Sequence, residues 1–323
     1  MDTIRVFYTA FAPEVVYDAI RRELPADARL VTLSEDSEAE RRAAIAGCEV
    51  AIMATMFLSA ELMAAAPALK LVLHQGVGYQ DTLDLDAMRA RGIRLAVTPE
   101  GTITSVAEHA VLLMLAACRR LPHADAELRA GRFHRLALRP VSRELRGKRV
   151  GFLGMGRIGQ EVAARLAGFE TTGLYFDRSK QLPPEREAAW NLRKAGLEEV
   201  LRESDIITLH LPLTPASRGM IDAAAIARMK PGAILINTAR GGLVDEEALA
   251  DALEDGRVLA AGLDVFEHEP YPATGRLAGL PNVVLTPHLA GGTADAFRDK
   301  MRVIGDNISR FRAGQPLRHE ILL

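Results

Sequence analysis

The chain has 323 residues, of which 49% are hydrophobic and 5% aromatic, and its formal net charge at pH 7 is −2. This length exceeds that of one ordinary hydrophobic core and predicts two domains. A charge so close to zero argues against a nucleic-acid-binding surface, which would be strongly basic. The two cysteines, Cys48 and Cys118, lack metal-ligand spacing, so we expect buried thiols, no metal site and a reducing cytoplasm. The N-terminus, which lacks the features of a signal peptide, favours the same location.

Apolar strand-like runs alternate with helix-like runs through the first hundred residues. The strand-like runs are residues 4–8, 50–53, 69–73 and 93–97, and the helix-like runs are residues 13–24, 60–66 and 85–91. Such alternation is typical of βα units that build a parallel sheet. Residues 1–98 are therefore predicted to form the first part of an α/β domain.

The longest apolar run covers residues 110–118 and ends at Arg119 and Arg120. It is about half as long as a helix that crosses a membrane. We therefore predict a buried helix, with no membrane contact, that is also a candidate for a subunit contact.

A glycine-rich turn follows, between a strand-like run at residues 148–153 and a helix-like run at residues 160–166. Its glycines, Gly154, Gly156 and Gly159, have the spacing of a dinucleotide-binding turn. They permit a tight turn, close approach of backbone N–H groups to a pyrophosphate and close packing of helix on strand. The N-terminus of the helix supplies the anion site.

An acidic residue stands at the end of the next strand-like run, residues 172–176. This residue, Asp177, lies eighteen positions after the last glycine. Its carboxylate can accept hydrogen bonds from both ribose hydroxyls of NAD, whereas the 2′-phosphate of NADP would meet a like charge. NAD is therefore favoured over NADP, although Arg178 and Lys180 soften the preference.

A second series of strands is predicted near Val150, Leu174, Ile206, Ile234, Ala261 and Val283. This series predicts a second domain, residues 99–290. The helix-like run at residues 293–313 lies beyond the last strand, so residues 291–323 are predicted to return to the first domain. The expected fold class is α/β, with two doubly wound parallel-sheet domains.

Three polar residues follow strands of the second domain, where open α/β sheets bind ligands. They are Arg240, Glu269 and His288. A guanidinium can hold a substrate carboxylate in a planar, bidentate manner. A histidine beside a carboxylate can donate and accept a proton at a carbonyl or hydroxyl oxygen. With a nicotinamide as hydride carrier, these groups predict reduction of 2-keto acids. Glu267 is an alternative to Glu269, which we favour because it directly precedes a proline.

The ordered motifs of nearly the whole chain resemble those of the D-isomer-specific 2-hydroxyacid dehydrogenase family. They are the glycine turn, Asn-Thr-Ala-Arg-Gly-Gly-Leu-Val-Asp from Asn237, Gly-Leu-Asp-Val-Phe-Glu from Gly262, Thr-Pro-His from Thr286, Gly-Val-Gly-Tyr from Gly76 and Ser-Val-Ala-Glu-His-Ala from Ser105. The resemblance implies a Rossmann NAD-binding domain and a flavodoxin-like substrate domain. It also implies that the enzyme acts on a D-2-hydroxy acid, and that Arg240, Glu269 and His288 are catalytic.

The same resemblance assigns further roles. The substrate would be bound by Val77, Gly78, Arg240 and His288, with the backbone N–H groups of Val77 and Gly78 facing its carboxylate. The cofactor would be bound by Gly154, Gly156, Arg157, Ile158, Gly159, Asp177, Leu211, Pro212, Thr238, Ala239, Arg240, Asp264, His288 and Gly291. Thr238, Ala239 and Asp264 would surround the nicotinamide. Asp264 has an alternative role as a carboxylate that caps a nearby turn.

Some features leave alternatives open. Gln80 and Thr102 depart from the family pattern, and residues 56–58 form an apolar segment that would favour uncharged substrate tails. The other histidines, including His109, are expected to be structural. An NAD-responsive protein resembling the family's corepressors, or a formate- or phosphite-type dehydrogenase, remains an alternative function. A homodimer is expected from the resemblance, whereas the particular 2-hydroxy acid and the physiological direction are not predicted.

Overall fold

The structure, a computed structural model, describes residues 3–54 and 56–323. The chain divides into two units, one formed by the chain up to Thr102 together with Gly291–Leu323, and the other by Ile103–Ala290. The first unit begins with β1 (Ile4–Tyr8), α1 (Glu14–Glu23), β2 (Ala28–Val31), α2 (Glu38–Ile45), β3 (Val50–Met53), α3 (Ala60–Ala64), β4 (Leu71–His74), α4 (Leu85–Ala90) and β5 (Arg94–Val97).

The second unit contains the long middle part of the chain. Its elements are α5 (Thr102–Arg119), α6 (Leu121–Arg129), β6 (Arg149–Leu153), α7 (Arg157–Leu166), β7 (Thr172–Phe176), α8 (Pro184–Ala189), β8 (Leu192–Lys194), α9 (Leu197–Glu203), β9 (Ile206–Leu209), α10 (Ala223–Arg228), β10 (Ala233–Asn237), α11 (Glu246–Glu254), β11 (Val258–Leu263) and β12 (Val283–Leu285). The chain ends in the first unit with α12 (Ala294–Arg312) and β13 (Glu320–Ile321).

The sheet of the first unit has the strand order β13-β5-β4-β3-β1-β2. Strands β1 to β5 are mutually parallel, and β13 adds an antiparallel edge. This is the flavodoxin-like order, whose direction of winding reverses between β1 and β3. Helix α12 packs against α1, and a Cβ on Gly305 would lie only 2.0 Å from the carbonyl oxygen of Glu23. Glycine is therefore required where the two helices meet.

Two elements of the first unit lack a strong sequence signal. Strand β2 lies at the edge of the sheet and none of its four residues is fully buried. Helix α2 buries only Ile45. Because an edge strand and a surface helix need few apolar residues, their periodicity is too weak to predict them.

The boundary that was expected at residues 98/99 lies instead between Thr102 and Ile103. The connecting residues are held in the first unit by their own contacts. The Thr98 hydroxyl donates to the carbonyl oxygen of His74 at 2.8 Å, and Glu100 pairs with Arg318 at 2.7 Å. A Cβ on Gly101 would lie 2.6 Å from the backbone of Ala296. These contacts add four residues to the first unit.

The sheet of the second unit has the order β12-β11-β10-β9-β6-β7-β8, and all its strands are parallel. This is the Rossmann order with one additional strand, and the winding reverses between β6 and β9. The two expected parallel-sheet domains are thus confirmed. The carboxyl ends of β6 and β9 mark the place where such a sheet binds its ligand.

Helix α5 is longer than the apolar run that predicted it. It has 18 residues and a mean hydropathy of 1.2, so by length and composition alone it meets the criterion for crossing a membrane. However, 67% of the helix is buried inside the protein. Burial of this extent is typical of a core helix.

Candidate active site

The glycine turn joins the end of β6 to the start of α7. Gly154 has a φ of +95°, and a Cβ there would lie 2.5 Å from the carbonyl oxygen of His210, which follows β9. A Cβ on Gly159 would lie 2.5 Å from the carbonyl oxygen of Gly154. The first and third glycines are therefore required by close approach of backbone to backbone.

Gly156 differs from the other two glycines because no heavy atom lies within 4 Å of the place that its Cβ would take. It is also the N-cap residue of α7 and provides no side-chain cap. The first N–H groups of α7 thus begin beside open space, which is the arrangement that receives a phosphate. Arg157 and Ile158 are the first two residues of this helix.

Asp177 is tied to the glycine turn through its carboxylate. It accepts hydrogen bonds from the backbone N–H groups of Met155, Ser179 and Lys180 at 2.8, 2.9 and 2.8 Å. Burial acts to raise the pKa of Asp177, but these donors outweigh it and hold the pKa below its ordinary value. The group is therefore a carboxylate at neutral pH, beside the turn, where it would meet an adenosine ribose.

The segment after β9 lies against the same turn. The Leu211 side chain would lie 2.7 Å from a Cβ on Gly154. The carbonyl oxygen of Pro212 accepts a hydrogen bond from the Ser217 hydroxyl at 2.8 Å, which fixes the loop. Burial lowers the pKa of His210 to about 3, so this imidazole is neutral and structural. Gly154, Asp177, Leu211 and Pro212 thus form one continuous region at the switch point of the sheet.

Arg240 is positioned by the loop that follows β10. The Asn237 side chain donates to the carbonyl oxygen of Arg240 at 2.9 Å and accepts from the Ala239 N–H at 3.0 Å. The next residue is Gly241, where a Cβ would lie 1.8 Å from the carbonyl carbon of Phe266. Only glycine allows this approach, which brings the Arg240 loop against the loop that carries Glu269. Asn237 is buried and its role was not predicted, although the Asn-Thr-Ala-Arg motif contains it.

His288 and Glu269 form a direct pair. The Nδ1 atom of His288 lies 2.7 Å from Oε2 of Glu269, and Oε1 of Glu269 accepts the Phe266 N–H at 3.0 Å. Burial acts to raise the pKa of Glu269, but the bonds from His288 and Phe266 and the charge of Arg240 hold it below its ordinary value. The three predicted catalytic residues are therefore electrostatically linked, and Glu267 is an exposed residue outside the pair.

Asp264 holds the loop on which His288 stands. Its carboxylate is fully buried and accepts from the Thr286 hydroxyl at 2.6 Å and from the N–H groups of Leu289 and Ala290 at 3.0 and 2.9 Å. These contacts support the alternative role of Asp264, a carboxylate that caps a turn, and its predicted contact with the cofactor stays a prediction.

His109 adds a second support to this loop. Its Nε2 atom lies 2.9 Å from the Thr286 hydroxyl and 3.5 Å from Asp264 Oδ1. Burial lowers the pKa of His109 despite the neighbouring carboxylate, so the imidazole is neutral at neutral pH. His109 is a satisfied buried histidine, as the sequence predicted, and its contacts make it a positioning residue.

Thr238 offers an unpaired polar atom beside Arg240. It is 8% exposed, and within the described residues its buried hydroxyl oxygen has no hydrogen-bond partner. A buried unpaired hydroxyl is unfavourable unless a ligand satisfies it. The carboxamide of a nicotinamide has suitable donors and acceptors, so Thr238 and the adjacent Ala239 fit the predicted cofactor.

The remaining predicted residues lie in the first unit. Val77 and Gly78 follow β4, and the turn before them is held by a hydrogen bond from the Gly76 N–H to the Thr98 hydroxyl at 3.1 Å. Gly291 is the first residue of the returning segment, and its carbonyl oxygen accepts from the Lys300 ammonium at 2.7 Å. Leu58 does not line a pocket, because it is fully buried and bridges to Leu83.

Both cysteines are buried away from solvent. Cys48 and Cys118 are buried, and burial raises the pKa of the Cys118 thiol to about 11. In the part of the chain that the structure describes, no group of three His, Cys, Asp or Glu side chains is placed to hold a metal ion.

Comparison with known proteins points to one family. Residues 111–290 match the model of the D-isomer specific 2-hydroxyacid dehydrogenase NAD binding domain. Glyoxylate reductase of Thermococcus gammatolerans is 36% identical over 320 residues, which cover 96% of this chain and 93% of that protein. D-3-phosphoglycerate dehydrogenase of Mycobacterium tuberculosis is 47% identical over 239 residues, which cover 74% of this chain and 44% of that protein. The match thus spans less than half the length of that relative.

A solved structure covers almost the entire chain. The apo form of D-mandelate dehydrogenase from Rhodotorula graminis has a TM-score of 0.84 and 27% identity, and the alignment covers 99% of this chain and 98% of that one. Similarity therefore extends over both units of the fold.

Proposed function

Because the chain belongs to the D-isomer-specific 2-hydroxyacid dehydrogenase family, we propose that it is an NAD-dependent oxidoreductase that interconverts a D-2-hydroxy acid and its 2-keto acid. The observation that carries this proposal is the 2.7 Å contact between His288 Nδ1 and Glu269 Oε2, in a cluster whose third member is Arg240. The cluster follows strands of a Rossmann sheet that carries a dinucleotide turn.

His288 transfers the proton of the reaction. Its Nδ1 atom faces Glu269, so Nε2 is the ring nitrogen left to face a substrate oxygen. In reduction Nε2 donates a proton to the ketone oxygen, and in oxidation it accepts the hydroxyl proton. The Glu269 carboxylate orients the ring through its contact with Nδ1.

Arg240 orients the other end of the reacting group. Its guanidinium binds the substrate carboxylate in a planar geometry, which fixes the carbonyl carbon relative to His288. When bound, NAD would accept a hydride and NADH would donate one.

The test of this function is NADH oxidation with a panel of 2-keto acids. Arg240→Ala should lower kcat/KM by about 10²-fold, because a charge-assisted bidentate contact is lost. Arg276→Ala is the matched control, since Arg276 lies in the same unit and pairs with Glu247, Asp251 and Glu254 on the surface. Equal rates for wild type and Arg240→Ala would show that Arg240 does not bind the substrate carboxylate.

The acid/base pair favours a hydroxy acid over formate as substrate. Oxidation of formate to carbon dioxide requires hydride removal but no proton transfer from a hydroxyl group, so the His288–Glu269 pair would have no evident task. A formate dehydrogenase from Granulicella nevertheless shares the fold, with a TM-score of 0.84 and 28% identity. Including formate in the same assay, with NAD, separates the two activities.

A corepressor-like protein would bind NADH but would oxidise it slowly with every 2-keto acid.

A homodimer is supported by an exposed apolar surface on the second unit. The exposed apolar side chains of α5, α6 and the segment after α6 are Leu112, Leu115, Leu121, Leu128, Phe133 and Leu136. A monomer rarely exposes so many neighbouring apolar residues. Light scattering should give twice the chain mass. Phe133→Asp should shift the measured mass toward that of the monomer, whereas Leu322→Asp should not.

We further propose that the protein is cytoplasmic and has no nucleic-acid or membrane partners, which is consistent with its near-neutral charge.

A further inference from the structure

The loop that begins with Asp177, residues 177–183, joins β7 to α8. Oδ1 of Asp177 accepts the Ser179 and Lys180 N–H groups at 2.9 and 2.8 Å, which bends the start of the loop. Oδ2 of Asp177 accepts the Met155 N–H of the glycine turn at 2.8 Å. One carboxylate oxygen therefore shapes the loop, and the other fixes the loop to the turn. The place that Asp177 takes depends on the conformation of the whole loop.

The far end of this loop is fixed by a buried tyrosine of β7. Tyr175 is fully buried, and its hydroxyl oxygen accepts the Leu182 N–H at 2.9 Å. The same hydroxyl donates to Oε1 of Glu187, on α8, at 2.6 Å. Burial and the Glu187 carboxylate raise the pKa of Tyr175 to about 12, so the hydroxyl keeps its proton. Because that proton is directed at Glu187, a lone pair of the oxygen is left for Leu182.

Helix α8, which supplies Glu187, is also joined to the glycine turn. The side-chain amide of Gln160, on α7, donates to the carbonyl oxygen of Met155 at 3.1 Å, and its oxygen accepts from the Arg186 guanidinium. Both backbone polar groups of Met155 are thus engaged, the N–H by Asp177 and the carbonyl oxygen by Gln160. These side-chain bonds connect the turn, α8 and the loop in one network.

A phenylalanine would fill the core space of Tyr175 without a polar atom to satisfy, so the hydroxyl serves its two hydrogen bonds and not the packing. We propose that Tyr175 is a positioning residue for cofactor choice, whose hydroxyl holds the loop in the form that brings Asp177 to the adenosine ribose. This inference rests on the proposed NAD-dependent function and on the predicted contact of Asp177 with the ribose. It does not depend on which acid is the substrate.

The first experiment measures binding of NADH and of NADPH, by cofactor fluorescence, to wild type and to Tyr175→Phe. The substitution keeps the ring but leaves the Leu182 N–H without its acceptor, so the loop should loosen. The Kd for NADH should rise by about tenfold, whereas the Kd for NADPH, whose 2′-phosphate Asp177 opposes, should stay within about twofold. Equal weakening of both cofactors would make Tyr175 merely structural and would overturn the proposal. Unchanged binding of both would also overturn it.

Two further variants provide controls. Tyr17→Phe, in the first unit, removes a buried hydroxyl of the same kind, which accepts the Ala12 N–H at 2.9 Å and donates to the carbonyl oxygen of Leu33 at 3.2 Å. It should leave both dissociation constants as in wild type. Glu187→Gln keeps an acceptor for the Tyr175 hydroxyl and should keep the preference for NADH. A loss of preference in Tyr17→Phe as large as that in Tyr175→Phe would refute the assignment.

A double substitution tests whether Tyr175 acts through Asp177. In Asp177→Asn the charged acceptor for the ribose is already removed, so adding Tyr175→Phe should raise the Kd for NADH by no more than about twofold. A further rise as large as in wild type would show that Tyr175 acts by another route. Failure of wild type to bind NADH would overturn the proposal. If NADH binds with the expected pattern but no 2-keto acid is reduced, the proposed function fails and the role of Tyr175 stands.

Discussion

The backbone N–H of His288 donates to the carbonyl oxygen of Asp264 at 2.7 Å, while the Asp264 carboxylate accepts from the two residues that follow His288. His288 has a φ of +51°, in the left-handed region that a residue with a side chain rarely adopts. The bonds from Asp264 compensate for that backbone strain. The orientation of the imidazole that we propose as the acid/base therefore depends on a buried carboxylate 24 positions earlier in the chain.

Replacing Asp264 by asparagine should disturb both stability and catalysis. The amide presents an NH₂ group to backbone N–H donors, so one acceptor is lost and the free energy of unfolding should fall by about 1–3 kcal/mol. The His288 loop should then lose its fixed geometry, and kcat should fall by about tenfold or more. Urea denaturation and NADH oxidation measure the two effects.

Asp222→Asn is the control for this prediction. Asp222 is an exposed N-cap residue of α10 and accepts the Ala225 N–H at 2.7 Å. Asparagine and aspartate cap helices about equally well, so stability and kcat should change little. If Asp264→Asn behaves like Asp222→Asn, then Asp264 does not position His288.

The parts of the site that were predictable from sequence depend on local chemistry. Gly154 and Gly159 indicate a turn, because a Cβ at either position would collide with a backbone carbonyl oxygen. Arg240, Glu269 and His288 were predicted because polar residues directly after strands collect at one edge of a parallel sheet. In both cases a short stretch of sequence contains the physical reason.

The parts that were missed depend on contacts between distant residues. The capping role of Asp264 depends on its burial and on its bonds to residues 286–290, which no local pattern reveals. The first domain boundary was misplaced because Glu100 is held by Arg318, more than two hundred residues away.

The His288–Glu269 pair predicts a specific dependence of stability on pH. The pKa of Glu269 in the folded protein lies below its ordinary value of 4.5, so the unfolded chain takes up the proton first as the pH falls. The stabilisation is therefore complete above the ordinary pKa and is lost as the pH falls through the lower, folded value. The free energy of unfolding can be measured with urea between about pH 3 and pH 7. It should fall less steeply toward acid pH for Glu269→Gln than for wild type.

The neighbouring Glu267 provides the control for this pH profile. Its side chain is exposed and lies outside the His288 pair. Glu267→Gln should keep the acid profile and the kcat of wild type, whereas Glu269→Gln should lower kcat. A wild-type kcat in Glu269→Gln would show that this carboxylate does not assist the proton transfer proposed for His288.

Substitutions at two glycines of the turn should have different effects, one on ligand binding and the other on stability. Gly156→Ala places a methyl group where nothing lies within 4 Å, so stability should be kept, but the methyl group would occupy the space facing the pyrophosphate. NADH binding, measured by fluorescence, should weaken by about tenfold or more. Gly154→Ala should instead destabilise the fold, because its Cβ would meet the His210 carbonyl oxygen.

Gly168→Ala is the control for both glycine variants, since its Cβ would also meet nothing within 4 Å and it lies away from the turn. It should bind NADH as wild type does. Wild-type NADH affinity in Gly156→Ala would indicate that the pyrophosphate does not approach this glycine.

Charge removal at Asp177 tests the preference for NAD. Asp177→Asn keeps one of the two side-chain oxygens, so it retains either the bond from the Met155 N–H or the bonds from the Ser179 and Lys180 N–H groups. It removes the charge that opposes a 2′-phosphate. The ratio of kcat/KM for NADPH to that for NADH should rise by about tenfold, with the larger part of the change in the KM for NADPH. Asp205→Asn is a close control, because Asp205 also accepts a backbone N–H and has a lowered pKa, yet it precedes β9 at the other edge of the sheet. A preference ratio that responds equally to both substitutions would mean that cofactor choice follows net charge and not the contact of Asp177 with the ribose.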